Sequence, residues 1–226
     1  MMKITVINGS PKRDGSDVLK ATLSFIDGIN DFEKQEVTIL NAIDLDVKYC
    51  KGCLNCLKGG TCALHDEMPS VLDAVRQSDL VIFSFPLYCY GMPAPLKAVV
   101  DRLLPLSTIK MVKSGDRYVH EESGDGIKTR FLMISGCGFP NSKHNFEPAR
   151  EQFELLFPMR NDILTVSEAP MLGVKEAEPL AKIKLGQFRT AGKIFAETKR
   201  LPEEIVQKIA VSMIPEEEYA KMVNGL

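Results

Sequence analysis

The sequence predicts a doubly wound α/β fold, in which helices cover both faces of a parallel sheet. Five short apolar runs, rich in β-branched residues, alternate with segments of helical pattern, and this alternation is typical of a parallel sheet with right-handed crossovers. Leu80–Phe83 and Phe131–Ile134 are apolar at consecutive positions rather than at alternate ones. Strands that are buried on both faces of a parallel sheet have this pattern.

Each strand and helix of the fold has a predicted position. The predicted strands are Lys3–Asn8, Glu36–Leu40, Leu80–Pro86, Thr129–Ser135 and Ile163–Glu168. Between the strands, apolar residues fall on one side of four segments, which predicts helices there. These helices are Ser16–Asp27, Asp66–Gln77, Pro93–Leu104 and Glu147–Phe157.

Beyond Pro170 the sequence shows helical patterns and no further strand pattern. The predicted helices of this part are Glu176–Arg200, Pro202–Val211 and Pro215–Val223. We therefore predict a domain over residues 1–170 and a helical C-terminal extension over residues 171–226, which packs as an appendage or reaches another subunit. Within the domain, residues 42–65 and residues 105–128 are predicted to be long loops, and such loops are usually functional or mobile.

Charge and hydropathy exclude several classes of function. The 226 residues include 28 Lys and Arg against 30 Asp and Glu, a net charge of −2, so no overall field favours nucleic acid or an anionic membrane surface. No apolar run approaches the roughly 20 residues of a membrane-spanning helix. The first strand is also too short for the apolar part of a signal peptide. We therefore expect a cytoplasmic protein.

The loop after the first strand has the composition of a phosphate-binding site. It occupies residues 9–18 and leads directly into a helix, whose N-terminal N–H groups and dipole favour an anion. Ser10 and Ser16 supply hydroxyl donors, and Lys12 supplies a positive charge. The spacing lacks both the dinucleotide-binding and the Walker pattern, which favours a single phosphate monoester. The alternative is an ordinary turn in which Ser16 or Asp17 caps the helix.

The segment after the third strand carries a family resemblance. Ser84–Lys97, which contains a Pro-x-Tyr turn, and the Asp101-Arg102 pair that follows resemble the flavin-contacting segment of the NADPH-dependent FMN reductase and flavodoxin-like superfamily. The first loop is similar to the phosphate loop of the same superfamily. The resemblance covers about residues 3–157, which is most of the chain.

This resemblance implies a flavodoxin-like sheet with strand order 2-1-3-4-5 and FMN as cofactor. The first loop would bind the FMN phosphate, and the loops after the third and fourth strands would frame the isoalloxazine ring. The expected cofactor-binding residues are Ser10, Lys12, Ser16, Asp17, Val18, Pro86, Leu87, Tyr88, Cys89, Tyr90, Gly91, Ser135, Gly136, Cys137 and Gly138. Asp17-Val18 stand where Asn-Thr is usual, which removes a hydroxyl and adds a carboxylate beside the expected phosphate. The small residues after the fourth strand would let the ring approach the backbone.

Four of the six cysteines lie close together in the loop after the second strand. They are Cys50, Cys53, Cys56 and Cys62. Cytoplasmic thiols are kept reduced, so a metal or redox role is favoured over disulfides. Three cysteines at C-x2-C-x2-C spacing are common in iron–sulfur proteins. The wider gap before the fourth cysteine contains Gly59 and Gly60, which would let the chain bring Cys62 back to the same cluster.

The cysteine spacing resembles the compact motif of the iron–sulfur flavoprotein family. That resemblance implies a 4Fe-4S cluster that passes single electrons between a partner carrier and FMN, close to the flavin of a neighbouring subunit. A structural zinc site, structural or redox-sensing thiols, and a cluster that is lost in air and leaves the loop empty remain alternatives.

Together these features predict an FMN-dependent oxidoreductase that moves electrons between NAD(P)H or a ferredoxin-type donor and a small acceptor. No catalytic side chain is predicted, because the flavin supplies the chemistry. Assembly as a homodimer or homotetramer is expected, since a cluster in one subunit would serve a flavin in another. The alternatives are a flavodoxin-like electron carrier without turnover, an FMN-only NAD(P)H reductase with an empty cysteine loop, and a binding module without redox chemistry.

Overall fold

A parallel sheet forms the centre of the structure, a computed structural model that describes residues 1–58, 62–122, 128–158 and 160–225. The strands are β1 (Lys3–Asn8), β2 (Glu36–Asn41), β3 (Leu80–Pro86), β4 (Ser107–Ser114), β5 (Arg117–Glu122), β6 (Arg130–Gly136) and β7 (Asn161–Val166). Five of them form one sheet in the order β2-β1-β3-β6-β7, and every neighbouring pair is parallel. The predicted order 2-1-3-4-5 is therefore confirmed, with β6 and β7 as its fourth and fifth strands.

The predicted helices are all present. They are α1 (Asp17–Asn30), α2 (Met68–Gln77), α3 (Ala94–Val100), α4 (Glu147–Leu156), α5 (Glu178–Thr198), α6 (Glu203–Ala210) and α7 (Glu216–Asn224). Helix α3 ends at Val100 rather than at the predicted Leu104, and a separate 3₁₀ turn covers Leu104–Leu106. Among the helices of the described residues, none combines the length and the apolar character that crossing a lipid bilayer requires.

Both faces of the sheet are buried, as the uninterrupted apolar runs predict. Leu80 and Ile82 of β3 pack with residues of α1 and α5, whereas Val81 and Phe83 pack with residues of α2, α3 and α4. Successive residues of a strand point to opposite faces. One strand therefore contributes to two hydrophobic cores.

Helix α5 belongs to one of these cores. Phe188 and Phe195 are buried among the strand residues, and the Phe195 ring centroid lies 5.6 Å from that of Phe25 in α1. The helices touch backbone to backbone, because a Cβ on Gly192 would lie 1.9 Å from the carbonyl oxygen of Phe25. The division of the chain at residue 170 stays a prediction, and this packing indicates that α5 folds with the sheet rather than as an appendage.

Residues 107–122 form an antiparallel hairpin where the sequence predicts a loop. Val112 lies opposite Val119, and the turn contains Gly115 at a φ of 64°, a conformation that favours glycine. The prediction of one irregular loop over residues 105–128 was wrong here, because these strands are largely polar and bury few of the apolar side chains that mark a strand in sequence. Residues 123–127 of that loop lie outside the described residues.

The cysteine segment is irregular in its described part, as predicted for residues 42–65. One turn of 3₁₀-helix covers Cys56–Lys58. Gly52 and Leu54 have φ angles of 64° and 58°, so the backbone turns repeatedly between the first and third cysteines. Gly59 and Gly60, predicted to give the chain freedom before Cys62, lie outside the described residues.

Two buried charged side chains hold the chain between α6 and α7. The Lys184 ammonium donates to the carbonyls of Ile209 at 2.9 Å and Val211 at 2.6 Å. The Glu168 carboxylate, which follows β7, accepts from the N–H of Met213. Burial raises the pKa of Glu168 and lowers the pKa of Lys184. The C-terminal part is thus fixed to the sheet through its backbone.

Gly192→Ala is expected to destabilise the fold. The added Cβ would overlap the Phe25 carbonyl, and overpacking costs about 1–3 kcal/mol, against a gain of roughly 1 kcal/mol in helix propensity. Gly186→Ala in the same helix is the matched control, because nothing lies within 4 Å of its Cβ position, and it should stabilise the protein. Urea unfolding midpoints measure both effects. A Gly192→Ala protein as stable as the wild type would contradict the close contact of α1 and α5.

Glu168→Gln is expected to change how stability depends on pH. The pKa of Glu168 is raised above its ordinary 4.5 by burial, so the folded state binds this proton more tightly than the unfolded chain. The resulting stabilisation is complete below pH 4.5 and is lost as pH rises through the folded-state pKa. The glutamine variant should therefore gain stability relative to the wild type as pH rises through that range. Urea unfolding at several pH values tests this, with the exposed Glu197→Gln as control, and a difference that does not vary with pH would refute it.

Candidate functional site

The loop after β1 is fixed tightly against β3 and α3. The N–H of Gly9 donates to the carbonyl of Ser84 at 2.8 Å, and a Cβ on Gly9 would lie 2.8 Å from Leu96 Cδ2. The Asn8 side chain holds the next residue, because its Oδ1 accepts from the N–H of Ser10 at 3.1 Å. The loop therefore sits at the carboxyl ends of two adjacent strands, where doubly wound sheets bind ligands.

Ser10 and Ser16 are both buried, and both hydroxyl oxygens accept backbone hydrogen bonds. Ser16 is the N-cap of α1, since its Oγ accepts from the N–H of Leu19 at 3.2 Å. The Ser10 Oγ accepts from the N–H of Lys12 at 3.3 Å. The capping interpretation is therefore confirmed for Ser16. These bonds use oxygen lone pairs, and a hydroxyl that accepts in this way can still donate its proton to an anion.

Asp17 begins α1 between two lysines. Its carboxylate lies 2.9 Å from the Lys20 Nζ and 3.5 Å from the Lys12 Nζ. Two ammonium groups and the helix dipole outweigh one carboxylate, so the region stays favourable to an anion. The Val18 side chain packs in the core with α1 and α5, which leaves only its backbone to face a ligand.

The segment after β3 makes a tight turn in an unusual backbone conformation. Tyr88 and Gly91 exchange two backbone hydrogen bonds of 3.0 Å. The two residues between them, Cys89 and Tyr90, have φ angles of 49° and 65°. Turns of this kind favour Asn or Gly, and a bulky residue in the left-handed region costs of the order of 1–3 kcal/mol. Such strain is concentrated at functional sites.

Aromatic rings from two strand ends meet beside this turn. The rings of Tyr90 and Phe139 are nearly parallel, with an angle of 8° between them and centroids 5.9 Å apart. Tyr88, Tyr90 and Phe139 are each about half exposed. Phe139 is absent from the predicted site, although its place directly after Gly138 at a strand end was a signal that could have found it.

The end of β6 contributes less to this surface than predicted. Ser135 and Cys137 are buried, and a Cβ on Gly136 would lie 2.7 Å from both Val18 Cγ2 and Ala169 Cβ. Gly136 therefore allows close packing within the core, and its contact with a flavin ring stays a prediction. Gly138 is exposed, and its Cβ position is clear to 3.9 Å.

Three of the four clustered cysteines line one pocket. Cys50, Cys56 and Cys62 lie there with apolar side chains that include Met68 and Leu72. Burial raises the pKa of the Cys56 thiol, and the nearby Cys62 and Cys50 thiols raise it further.

A buried guanidinium forms one wall of this pocket. Arg102 follows α3 and pairs with Asp66 through both terminal nitrogens. Its Nη2 also lies 3.4 Å from the Cys62 Sγ. The ion pair and the hydrogen bonds to Asp66 oxygens hold the pKa of Asp66 at about 2 against the opposing effect of burial.

The donor chemistry of the cysteine segment fits an iron–sulfur cluster. Four thiolates ligate such clusters, and three of the four here converge on one pocket. Cys53 is exposed and does not line it, so a fourth ligand requires Cys53 to turn inward. Within the described residues, no three His, Cys, Asp or Glu side chains already stand where they could hold a metal ion.

Comparison with known proteins gives partial sequence matches and similar folds. A segment of 106 residues is 36% identical to an iron–sulfur flavoprotein of Archaeoglobus fulgidus and covers 46% of each chain, so the match spans about half of that relative. An FMN-dependent NADH-azoreductase of Bacillus anthracis, solved in complex with FMN, superposes with a TM-score of 0.62 at 14% identity over 87% of this chain and all of that one.

A third similar structure is the NAD(P)H:quinone oxidoreductase of Methanothermobacter marburgensis. It has a TM-score of 0.60 at 14% identity and covers 85% of this chain and 98% of that one. At these identities the two solved structures show the fold alone. The family model described as a flavodoxin-like fold matches residues 2–161, which is more than half of the sequence. The chain therefore belongs to the flavodoxin-like fold family.

Proposed function

We propose that this chain binds FMN and acts as an oxidoreductase between NAD(P)H or a ferredoxin-type donor and a small acceptor. The observation that carries the proposal is the placement of a capped helix N-terminus and a strained aromatic turn at the carboxyl ends of adjacent strands β1 and β3. The names of the similar azoreductase and quinone oxidoreductase support the same class of activity.

In this proposal the β1 loop binds the FMN phosphate. The Ser10 and Ser16 hydroxyls and the first N–H groups of α1 would donate to phosphate oxygens. Lys12 is largely exposed, so its ammonium can turn from Asp17 towards a dianion. The Asp17 carboxylate would stay paired with Lys20, which limits its repulsion of the phosphate.

The turn after β3 would hold the flavin ring. The backbone hydrogen bonds of the turn use the N–H groups of Leu87, Tyr88 and Gly91, whereas the N–H groups of Cys89 and Tyr90 take no part in these bonds. We assign the N–H groups of Cys89 and Tyr90 as donors to the polar edge of the flavin ring, because hydrogen bonds at this edge tune the flavin's electronics. The exposed rings of Tyr90 and Phe139 would cover apolar ring surface. When bound, FMN supplies hydride and single-electron chemistry.

The cysteine segment would hold the second cofactor, a 4Fe-4S cluster. Cys50, Cys53, Cys56 and Cys62 are its proposed ligands, and the iron–sulfur flavoprotein relative supports this assignment. Assembly as a homodimer or homotetramer is part of the proposal, and the exposed apolar side chains of Ile109, Met111 and Tyr118 on the hairpin support it. An FMN-only reductase is the second candidate, because only three of the four thiols share the pocket.

Anaerobic purification is expected to give flavin absorption bands on a broad brown shoulder, with about four irons and four sulfides per chain. Visible spectra with iron and acid-labile sulfide assays measure this, and NAD(P)H oxidation without a partner protein separates an enzyme from an electron carrier. Flavin without iron would favour the FMN-only reductase. A protein that takes up no FMN would overturn the proposal.

Tyr90→Ala is expected to weaken FMN binding about three- to tenfold. The variant removes one ring of the exposed aromatic pair, and such contacts contribute about 0.5–1.5 kcal/mol beyond the area that they bury. Phe32→Ala is the control, because Phe32 is an exposed aromatic residue that follows the C-terminal end of α1, away from the β1 loop. Fluorescence titration of the apoprotein with FMN gives both dissociation constants, and equal values for the two variants would contradict the assigned ring site.

A further inference from the structure

The Arg102–Asp66 pair is the most deeply buried ion pair beside the cysteine pocket. Arg102 is 4% exposed as a residue, and the side chain of Asp66 is fully buried. Removing two charges from water is costly unless further hydrogen bonds satisfy them. The groups that form hydrogen bonds with Arg102 and Asp66 therefore indicate which part of the chain the ion pair holds in place.

The backbone partners lie at the two ends of the cysteine segment. Arg102 Nη1 donates to the carbonyl of Lys48 at 3.0 Å, and Asp66 Oδ2 accepts from the N–H of the same residue at 2.9 Å. The Lys48 side chain in turn donates to the carbonyl of His65 at 2.7 Å. Positions 48 and 66 flank all four cysteines. The ion pair, together with the hydrogen bonds that join Asp46 to Glu67 just outside it, thus closes the segment into a loop whose ends are fixed before any ligand binds, which lowers the entropy cost of closing it later.

The remaining donor of Arg102 reaches a thiol. Its Nη2 contacts the Cys62 Sγ at 3.4 Å and Asp66 Oδ1 at 3.1 Å. A guanidinium can serve an acid, a carbonyl and a sulfur at once because its donors form a planar fork. A lysine ammonium carries the same charge but cannot reproduce this geometry.

We propose that Arg102 is a positioning residue for the cysteine pocket, which preorganises the segment for cluster binding and raises the cluster's reduction potential through its bond to Cys62. This inference rests on the proposed function, in which the four thiols hold a 4Fe-4S cluster. Hydrogen bonds to the sulfurs and nearby charge set the potentials of such clusters. A cation that donates to a ligand sulfur favours the reduced, more negative form and so raises the potential.

Arg102→Lys tests both parts, with Arg130→Lys as the matched control. Arg130 also pairs with an aspartate, and its Nη2 lies 3.2 Å from Asp162 Oδ2. This ion pair joins β6 to β7 and does not line the cysteine pocket. After anaerobic reconstitution, the Arg102 variant should bind iron more slowly, and its loaded fraction should have a more negative midpoint potential. The control should match the wild type in iron uptake and in potential, measured by spectroelectrochemical titration.

Wild-type iron uptake and midpoint potential in a folded Arg102→Lys protein would overturn the inference. Asp66→Asn separates the two parts, because it loosens the loop ends while Arg102 can still reach Cys62. Slower iron uptake is expected, with a potential equal to or more positive than that of the wild type, because the loss of the carboxylate leaves the guanidinium charge beside Cys62 uncompensated. A potential that falls as far as in Arg102→Lys would show that the bond to Cys62 does not set it.

A measurement on the unaltered protein covers the case in which neither variant folds. With ¹⁵N-arginine incorporated, pulsed electron paramagnetic resonance of the reduced cluster should detect coupling to a guanidinium nitrogen. Absence of that coupling would refute the inference while the cluster itself is plainly present. A wild-type protein that binds no iron under any anaerobic condition would instead refute the proposed second cofactor.

Discussion

The parallel direction of the five sheet strands is the constraint on which both candidate sites depend. Because β1 and β3 are adjacent and parallel, the loops that follow them leave the sheet at the same edge. Close contact then fixes the β1 loop against β3 and α3, as the hydrogen bond from Gly9 to Ser84 and the packing of Gly9 beside Leu96 show. A helix N-terminus that favours anions and a turn that presents aromatic rings are therefore fixed side by side by the sheet itself.

Buried charges hold the irregular segments that the sheet does not order. Backbone N–H and C=O groups outside helices and strands still require partners, and one buried charged side chain can satisfy several. Arg102 and Asp66 do so for the ends of the cysteine segment, and Lys184 and Glu168 do so for the chain before α7. Burying these charges is costly in isolation, and the cost is offset by the hydrogen bonds that each group makes to the backbone of a stretch of chain that has little core of its own.

The sequence predicted the sheet better than it predicted the contacts of the site. The apolar runs of β1 and β3 mark the strand ends correctly, because strands buried on both faces leave an unbroken apolar pattern. The hairpin was missed since its strands are mostly polar. Val18 and Gly136 were assigned to the cofactor but pack against each other in the core. A motif identifies the loop on which a residue lies, whereas the direction of its side chain follows from packing between elements distant in sequence.

Helix α3 connects the two candidate sites within one chain. It follows the strained turn at Tyr88–Gly91 and precedes Arg102, and its seven residues span only about 10 Å. Two prolines, one before the helix and one in its first turn, restrict the backbone where it leaves the turn. Leu96 packs the middle of the helix against the β1 loop. A displacement of α3 would therefore move Arg102, the partner of Cys62, together with the Tyr88–Gly91 turn, so the geometry of the cysteine pocket is coupled to that of the proposed flavin site.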